Sequence, residues 1–280
     1  MKAVIYTPAL CKCVFIQNIA MYCASLRELG FHTQVVSTKS EILACAPELL
    51  IVMSDGVGGG YESTIHEFVK PVGSYVVVFL SDPYHTNMKL SRLTEFNASE
   101  VWTYCASNVR QCASQGVHVK LVPPGYSPAI DYSDHDEHMS HATPVAVLGP
   151  WSAARRAKSL AHVKNLSVVT DAWNHEAWKR KVTSHTHMVN VHNEYRAAEA
   201  NRFAPALASG LVVVSERCYG DDEDLWKGIV HFVDVRDFPR LLSTLRRADG
   251  AASRDAFRER FNFTCILKAA LADFMHHAAA

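Results

Sequence analysis

Apolar positions along this chain fall into two rhythms. Short continuous runs, rich in valine and isoleucine, read AVIY, TQVV, LLIVM, YVVVFL, EVWTY and VKLV in the first half. The second half has PVAVLG, SVVT, HMVNV, LVVV and VHFV. Between the runs lie longer stretches in which apolar residues recur at helical spacing. A run that is apolar at every position has no solvent-facing side, so it predicts a strand buried on both faces. Helical intervals of about ten to fifteen residues predict crossovers between parallel strands. The pattern occurs twice, separated by PPGYSPAIDYSDHDEHMSHATP at 123–144, which has four prolines and no periodicity and reads as a linker. Near the end, Phe257, Phe261, Ile266, Leu267, Ala270 and Phe274 recur close to helical spacing, and predict one long helix over about 253–276.

The stretch ANRFAPALASGLVVVSE at 200–216 changes rhythm halfway. Phe203, Ala206, Leu207 and Ala208 keep helical spacing, Ser209-Gly210 stops the helix, and LVVV begins a buried strand that ends in the polar pair Ser215-Glu216. Open parallel sheets bind ligands outside the carboxyl ends of their strands, so polar residues at those ends are the place to seek function. In the first half the strand ends are TPALCK, SDGVGGG, SDPYH and YCASN; in the second, GPWSAARR, TDAWN, VHNEYR and SERCYGDDED. Gly149 follows a strand and precedes Arg155 and Arg156, so the turn there offers backbone N–H groups and cations to a diphosphate. The bland alternatives are a solvated helix face for the two arginines, a strand-end structural histidine at His192, and an i,i+3 surface pair for Glu199 and Arg202. The GVGGG run at 56–60 lacks a Walker lysine and the GxGxxG spacing. It reads as a flexible turn or as a lid or acceptor loop.

Length and charge narrow the field. A chain of 280 residues accommodates two domains, and 49% apolar with 20% charged residues is a globular profile. Lysine plus arginine equals aspartate plus glutamate at 28 each, so no global field draws the chain to nucleic acid, and none is expected as a partner. The eight cysteines form no CxxC and predict free thiols in a reducing compartment. Pro8 and Lys12 interrupt the apolar start before it reaches signal-peptide or membrane-span length, so a cytoplasmic protein with no integral membrane segment is expected. The histidines of HDEHMSH are irregularly spaced in a polar loop and predict no metal site.

The order PPGYSP, linker, VAVLGPWSAARR, VNVHNEYRAAEANRFAPALASGLVVVSE, acidic loop and GIVHFVDVRDFPRLL resembles the C-terminal half of GT-B glycosyltransferases. The likeness spans about residues 119–245 and is nearest the spore-maturation-type, group 1-like branch, in its short bacterial or viral forms. It implies an α/β protein of two Rossmann-like parallel α/β domains facing a central cleft. Residues 1–125 would form the acceptor domain, 126–143 the linker, 144–250 the donor domain and 251–280 a C-terminal helix. By the resemblance, Gly149 with Arg155 or Arg156 would face the donor diphosphate, and Asn190 and His192 would end a strand beside it. Glu199 and Arg202 would lie on the next helix, and Ser215 and Glu216 would stand at the mouth near sugar or ribose. Where relatives carry a second glutamate on that helix, this chain has Pro205, and the spacing from His192 leaves Glu194 as an alternative to Glu199.

The chemistry fits these residue types. Transfer from a nucleotide-sugar develops negative charge on the leaving diphosphate, which fixed guanidiniums and N–H dipoles stabilise. Glu216, Glu199 and Asn190 can accept from sugar and ribose hydroxyls. Side chains and helix termini can do a metal's work, so transfer is expected without metal or other cofactor, from a UDP- or GDP-linked co-substrate to a carbohydrate or other hydroxyl acceptor. An inverting reaction would need a base from the first domain, for which Asp82, His85 and Asp55 are the candidates because they follow buried strands. A retaining one would not. The alternatives are a nucleotide-sugar epimerase and a catalytically silent nucleotide-sugar-binding protein. The lack of a Gly-rich turn after AVIY speaks against an NAD-dependent oxidoreductase.

Overall fold

The structure is a computed structural model that describes residues 1–8, 15–54, 73–80, 98–136, 138–148, 153–172, 174–192 and 196–279. Every apolar run named above contains a strand. In chain order these are β1 (Lys2–Tyr6), β2 (His32–Val36), β3 (Leu49–Ser54), β4 (Tyr75–Leu80), β5 (Glu100–Thr103) and β6 (Lys120–Leu121). They continue with β7 (His141–Val147), β8 (Ser167–Val169), β9 (His185–Asn190), β10 (Val212–Glu216) and β11 (His231–Val233). All pairings are parallel.

The chain divides into two compact units, 1–123 with 263–280, and 124–262. The first holds a six-stranded sheet in the order β2-β1-β3-β4-β5-β6, the second a five-stranded sheet in the order β11-β10-β9-β7-β8. Counted from its own first strand, each sheet has the doubly wound order 2-1-3-4-5, with the reversal between β1 and β3 in one unit and between β7 and β9 in the other. Such a reversal opens a crevice at the carboxyl ends of the two strands. Val4, Val52, Val78 and Leu80 carry the first core; Ala146, Val189, Val212, Val214 and Phe238 carry the second.

In the first unit, helix α1 (Ile16–Glu28) sets Tyr22 edge-on to Phe263 at 4.7 Å and stacked on Trp102. Helices α2 (Lys39–Cys45) and α3 (Ala106–Ala113) follow β2 and β5. The second unit has α4 (Ala153–Leu160), α5 (His175–Lys181), α6 (Ala200–Ala208), α7 (Gly220–Leu225), α8 (Phe238–Thr244) and α9 (Arg247–Arg260). At the end of α6, Gly210 has φ +80°, its N–H reaches Leu207 O and the Leu211 N–H reaches Ala206 O. This is a Schellman cap, which needs a left-handed residue, and it turns the chain straight into β10.

Two expectations change. Instead of one terminal helix, α9 stops at Arg260, and α10 (Phe263–Ala270) and α11 (Ala272–Ala279) belong to the first unit. The break lies at Phe261-Asn262 because the Phe261 carbonyl accepts from Tyr126 N–H, Asn262 bridges Tyr126, and the Phe261 ring stacks on Trp226 at 4.7 Å. The stretch 126–143 is packed into the second unit and already includes the start of β7. Arg254 pairs with Asp131, Tyr132 N–H donates to Ser209 Oγ at 3.1 Å, His138 Nε2 donates to Ser209 O at 2.6 Å, and Met139 N–H reaches Thr183 O. Its polar groups, side-chain and backbone alike, are spent on partners within the second unit, which periodicity does not reveal.

Candidate functional site

Of the residues predicted for the donor, Asn190, His192, Glu199, Arg202, Ser215 and Glu216 lie at or beside the carboxyl ends of β9 and β10. These strands pair in parallel with Asn190 beside Ser215, and the Asn190 amide donates to Ser215 Oγ at 3.2 Å. Past the end of β9, the His192 N–H donates to Glu216 Oε2 at 3.0 Å. The His192 ring lies 3.1 Å from the Glu216 carbonyl through Nε2. A carbonyl oxygen only accepts, so Nε2 carries the proton and Nδ1 presents a lone pair. That nitrogen is buried and has no hydrogen-bond partner among the described residues. Glu216 is half-buried, and the described residues place no hydrogen bond on its Oε1.

Beside this pair lies a charge cluster. Glu199, at the N-terminal boundary of α6, receives Arg156 of α4 on Oε1 and Arg202 of α6 on Oε2, each at 2.5 Å. Arg202 also stands 3.5 Å from Asn190 Oδ1. One carboxylate thus joins two guanidiniums. Arg156 is 4% exposed, against 17% for Glu199 and 18% for Arg202. Glu199 and Arg202 are indeed an i,i+3 pair, but an enclosed one. The cluster orients Arg202 next to Asn190 and the strand end, where its remaining donors can meet an anion.

The polar end of β10 has two roles. Ser215, expected at the mouth, is fully buried and ties β10 to β9. Glu216 is the residue that emerges. Arg156, expected on the diphosphate, is turned into the core and holds Glu199. Arg155 lies on α4, but its side chain falls outside the described residues, as do Gly149, Glu194, Asp55, Asp82, His85 and the GVGGG run.

Three neighbours were not expected. Cys218 Sγ lies 3.4 Å from His192 Nε2, and burial, with Asp222, Glu223, Glu199 and Glu216 nearby, pushes its thiol far above the ordinary range. It is therefore a neutral partner to the imidazole. Glu223 accepts from Cys218 N–H and from Arg217 at 2.8 Å each, and Asp222, fully buried, accepts from Ala198 N–H at 3.3 Å. The metal-free expectation rests in part on the chain having no DxD triplet, and that ground fails because Asp222-Glu223-Asp224 is one; Asp222 and Glu223 brace the loop that carries Cys218 and the approach to α6. Nothing local in an acidic strand-end run distinguishes such bracing from solvation. Among the described residues no group of three or more His, Cys, Asp or Glu side chains is placed to hold a metal ion.

No protein-family model and no curated protein sequence matches the chain. Solved structures do. A sucrose-phosphate synthase from Thermosynechococcus elongatus superposes with a TM-score of 0.65 over 100% of both chains at 11% identity. An alpha-glucosyltransferase in complex with UDP and a 13-mer DNA follows at 0.55, covering 95% of this chain and 94% of that one at 11% identity. The protein has the GT-B fold. A UDP-N-acetylglucosamine 2-epimerase is also similar, with a TM-score of 0.50 over 100% of this chain and 97% of that one, at 9% identity. In the second unit the strand order reverses between β7 and β9; Asn190 ends β9, His192 follows it, and Glu216 ends the neighbouring β10. Among the described residues no helix is long and apolar enough to cross a membrane.

Proposed function

We propose that this GT-B protein is a glycosyltransferase that takes a sugar from a UDP- or GDP-linked donor and passes it to an acceptor hydroxyl, with the donor held by the second unit. The observation that carries the reading is the assembly of Arg202, Asn190, His192 and Glu216 at one strand edge. A guanidinium is available for the diphosphate and the carboxylate Oε1 for hydroxyl donors, while the buried His192 holds the Glu216 backbone and carboxylate in place. The names of the similar structures support it, since one is a glucosyltransferase in complex with UDP and another acts on a UDP-sugar. Arg155 and Arg202 offset the negative charge that develops on the leaving diphosphate, and transfer proceeds without a metal. The first unit binds a carbohydrate or other hydroxyl acceptor, and Asp82, His85 and Asp55 are the candidates for a base if configuration inverts. The protein works in the cytoplasm.

The test is a panel of UDP-, GDP- and dTDP-sugars followed by thermal shift and donor hydrolysis, with and without EDTA. The expected result is a shift and turnover for one nucleotide class, insensitive to EDTA, with binding weakened about tenfold or more in Glu216→Ala. No shift with any donor would reject the reading. The epimerase reading is favoured by the third structural match and predicts a second sugar isomer in the NMR spectrum with the nucleotide still attached. Binding without turnover would identify a silent binding protein, consistent with Pro205 inside α6.

A further inference from the structure

The second unit contains another cavity, at the opposite end of its sheet. It has a volume of about 300 Å³ among the amino-terminal ends of β7, β8 and β9 and the last turn of α5. It is open to solvent along one side, a concave depression rather than an enclosed hole. Its walls carry Arg180, Lys181, His141 and His185, with hydroxyls from Thr143, Ser167 and Ser184, and the one carboxylate paired with these cations among the described residues is Asp171, on Lys181. The two histidines are neighbours by register, His141 beside His185 across β7 and β9, with ring centroids 5.2 Å apart. Thr143 fixes the His185 ring, its carbonyl lying 3.0 Å from Nδ1, so Nδ1 is the donor and Nε2 the acceptor or, when protonated, a second donor.

Cations in the last turn of a helix also offset its dipole, and this alone would explain Arg180 and Lys181. It does not explain a concave surface that adds two imidazoles and three hydroxyls to them. Lys181 is held by Asp171 in an exposed ion pair, which an arriving dianion can displace at little cost. Arg180 has no ion pair among the described residues and offers a planar fork to an oxyanion.

We infer that this cavity is a binding site for a phosphate group, free or as the monoester of a small molecule, separate from the proposed donor edge. From His185 to Asn190, β9 spans about 17 Å at roughly 3.3 Å per residue, so the two sites share one strand but no residue. The inference does not depend on the transferase reading.

The experiment is calorimetric titration of the full chain with inorganic phosphate and with glycerol 2-phosphate, for wild type, Arg180→Ala/Lys181→Ala and Arg155→Ala. Both altered cavity residues are exposed, so the double variant is expected to fold, and its melting curve verifies this. The expected result is saturable binding to wild type and to Arg155→Ala, weakened about tenfold or more in the double variant. Tighter binding of the ester than of phosphate would identify the monoester as the ligand; equal binding would identify free phosphate. No saturable binding to wild type up to about 10 mM would overturn the inference. So would a titration abolished by Arg155→Ala and untouched by the double variant, which would place the anion at the donor edge.

Discussion

Replacing Glu199 with alanine tests the cluster on which the donor edge rests. The substitution removes the carboxylate that stands 2.5 Å from a guanidinium nitrogen on either side. Two unit charges about 4 Å apart attract by about 4 kcal/mol at an effective dielectric of about 20, and removing one partner of a buried pair costs about 3–5 kcal/mol. The Arg156 side of the cluster is buried, so that range applies to it. The unit it belongs to has about 140 residues, for which 1 kcal/mol moves the midpoint by about 3–4 °C, giving an expected drop of about 9–20 °C. The assay is a calorimetric melt at neutral pH in low and high salt, and salt should change the drop little because the Arg156 pair is enclosed. Glu176→Ala is the control. It removes the same i,i+3 geometry with Lys179, at 3.6 Å and with Glu176 66% exposed, and should cost about 0.5 kcal/mol or less. If Glu199→Ala melted within about 2 °C of wild type, as the control should, the cluster would not be structural and the reasoning would fail.

Three further outcomes follow from the same structure. A Cβ at Gly250 would sit 2.2 Å from the Gly210 carbonyl and 3.1 Å from Val212 N, so Gly250→Ala should push α9 off the start of β10 and cost about 1–3 kcal/mol by denaturant unfolding. Burial raises the Asp131 pKa, but hydrogen bonds from Ser133 and Tyr126 and the Arg254 charge outweigh it and leave the carboxyl below its usual value. A depressed folded pKa contributes stability above the unfolded value, about 3.9, that is lost as pH falls through the folded one. Wild type should therefore lose more stability than Asp131→Asn on acidification below about pH 4. Alkylation at pH 8 followed by mass spectrometry should label the exposed Cys265 and spare Cys218, whose thiol is pushed up by burial and its acidic neighbours; labelling of Cys218 at a comparable rate would contradict its placement.

The strands were legible because a strand buried on both faces must be apolar throughout, so a pattern such as LVVV at 211–214 records its own environment. The stop at Ser209-Gly210 was legible for a local reason too, since the cap needs a left-handed residue one step past the helix. The terminal helices were not. Whether Phe261 continues a helix depends on Tyr126 and Trp226, which lie far away in sequence and compete for its carbonyl and its ring.

The candidate site divides along the same line. Periodicity marked the strand ends that carry Asn190, His192 and Glu216, and the resemblance to GT-B glycosyltransferases singled these out together with Glu199 and Arg202. The same periodicity identified the parallel α/β architecture, whose buried strands write it directly into the chain. Tertiary structure decided what each polar residue does. Arg156 meets Glu199 across 43 positions and is buried by it, Ser215 is consumed by the strand pairing, and Cys218 faces an imidazole 26 residues away. A hydrophobic side chain announces its burial by its composition, whereas a polar one is buried or displayed according to whether a partner reaches it, and that partner is supplied only by the fold.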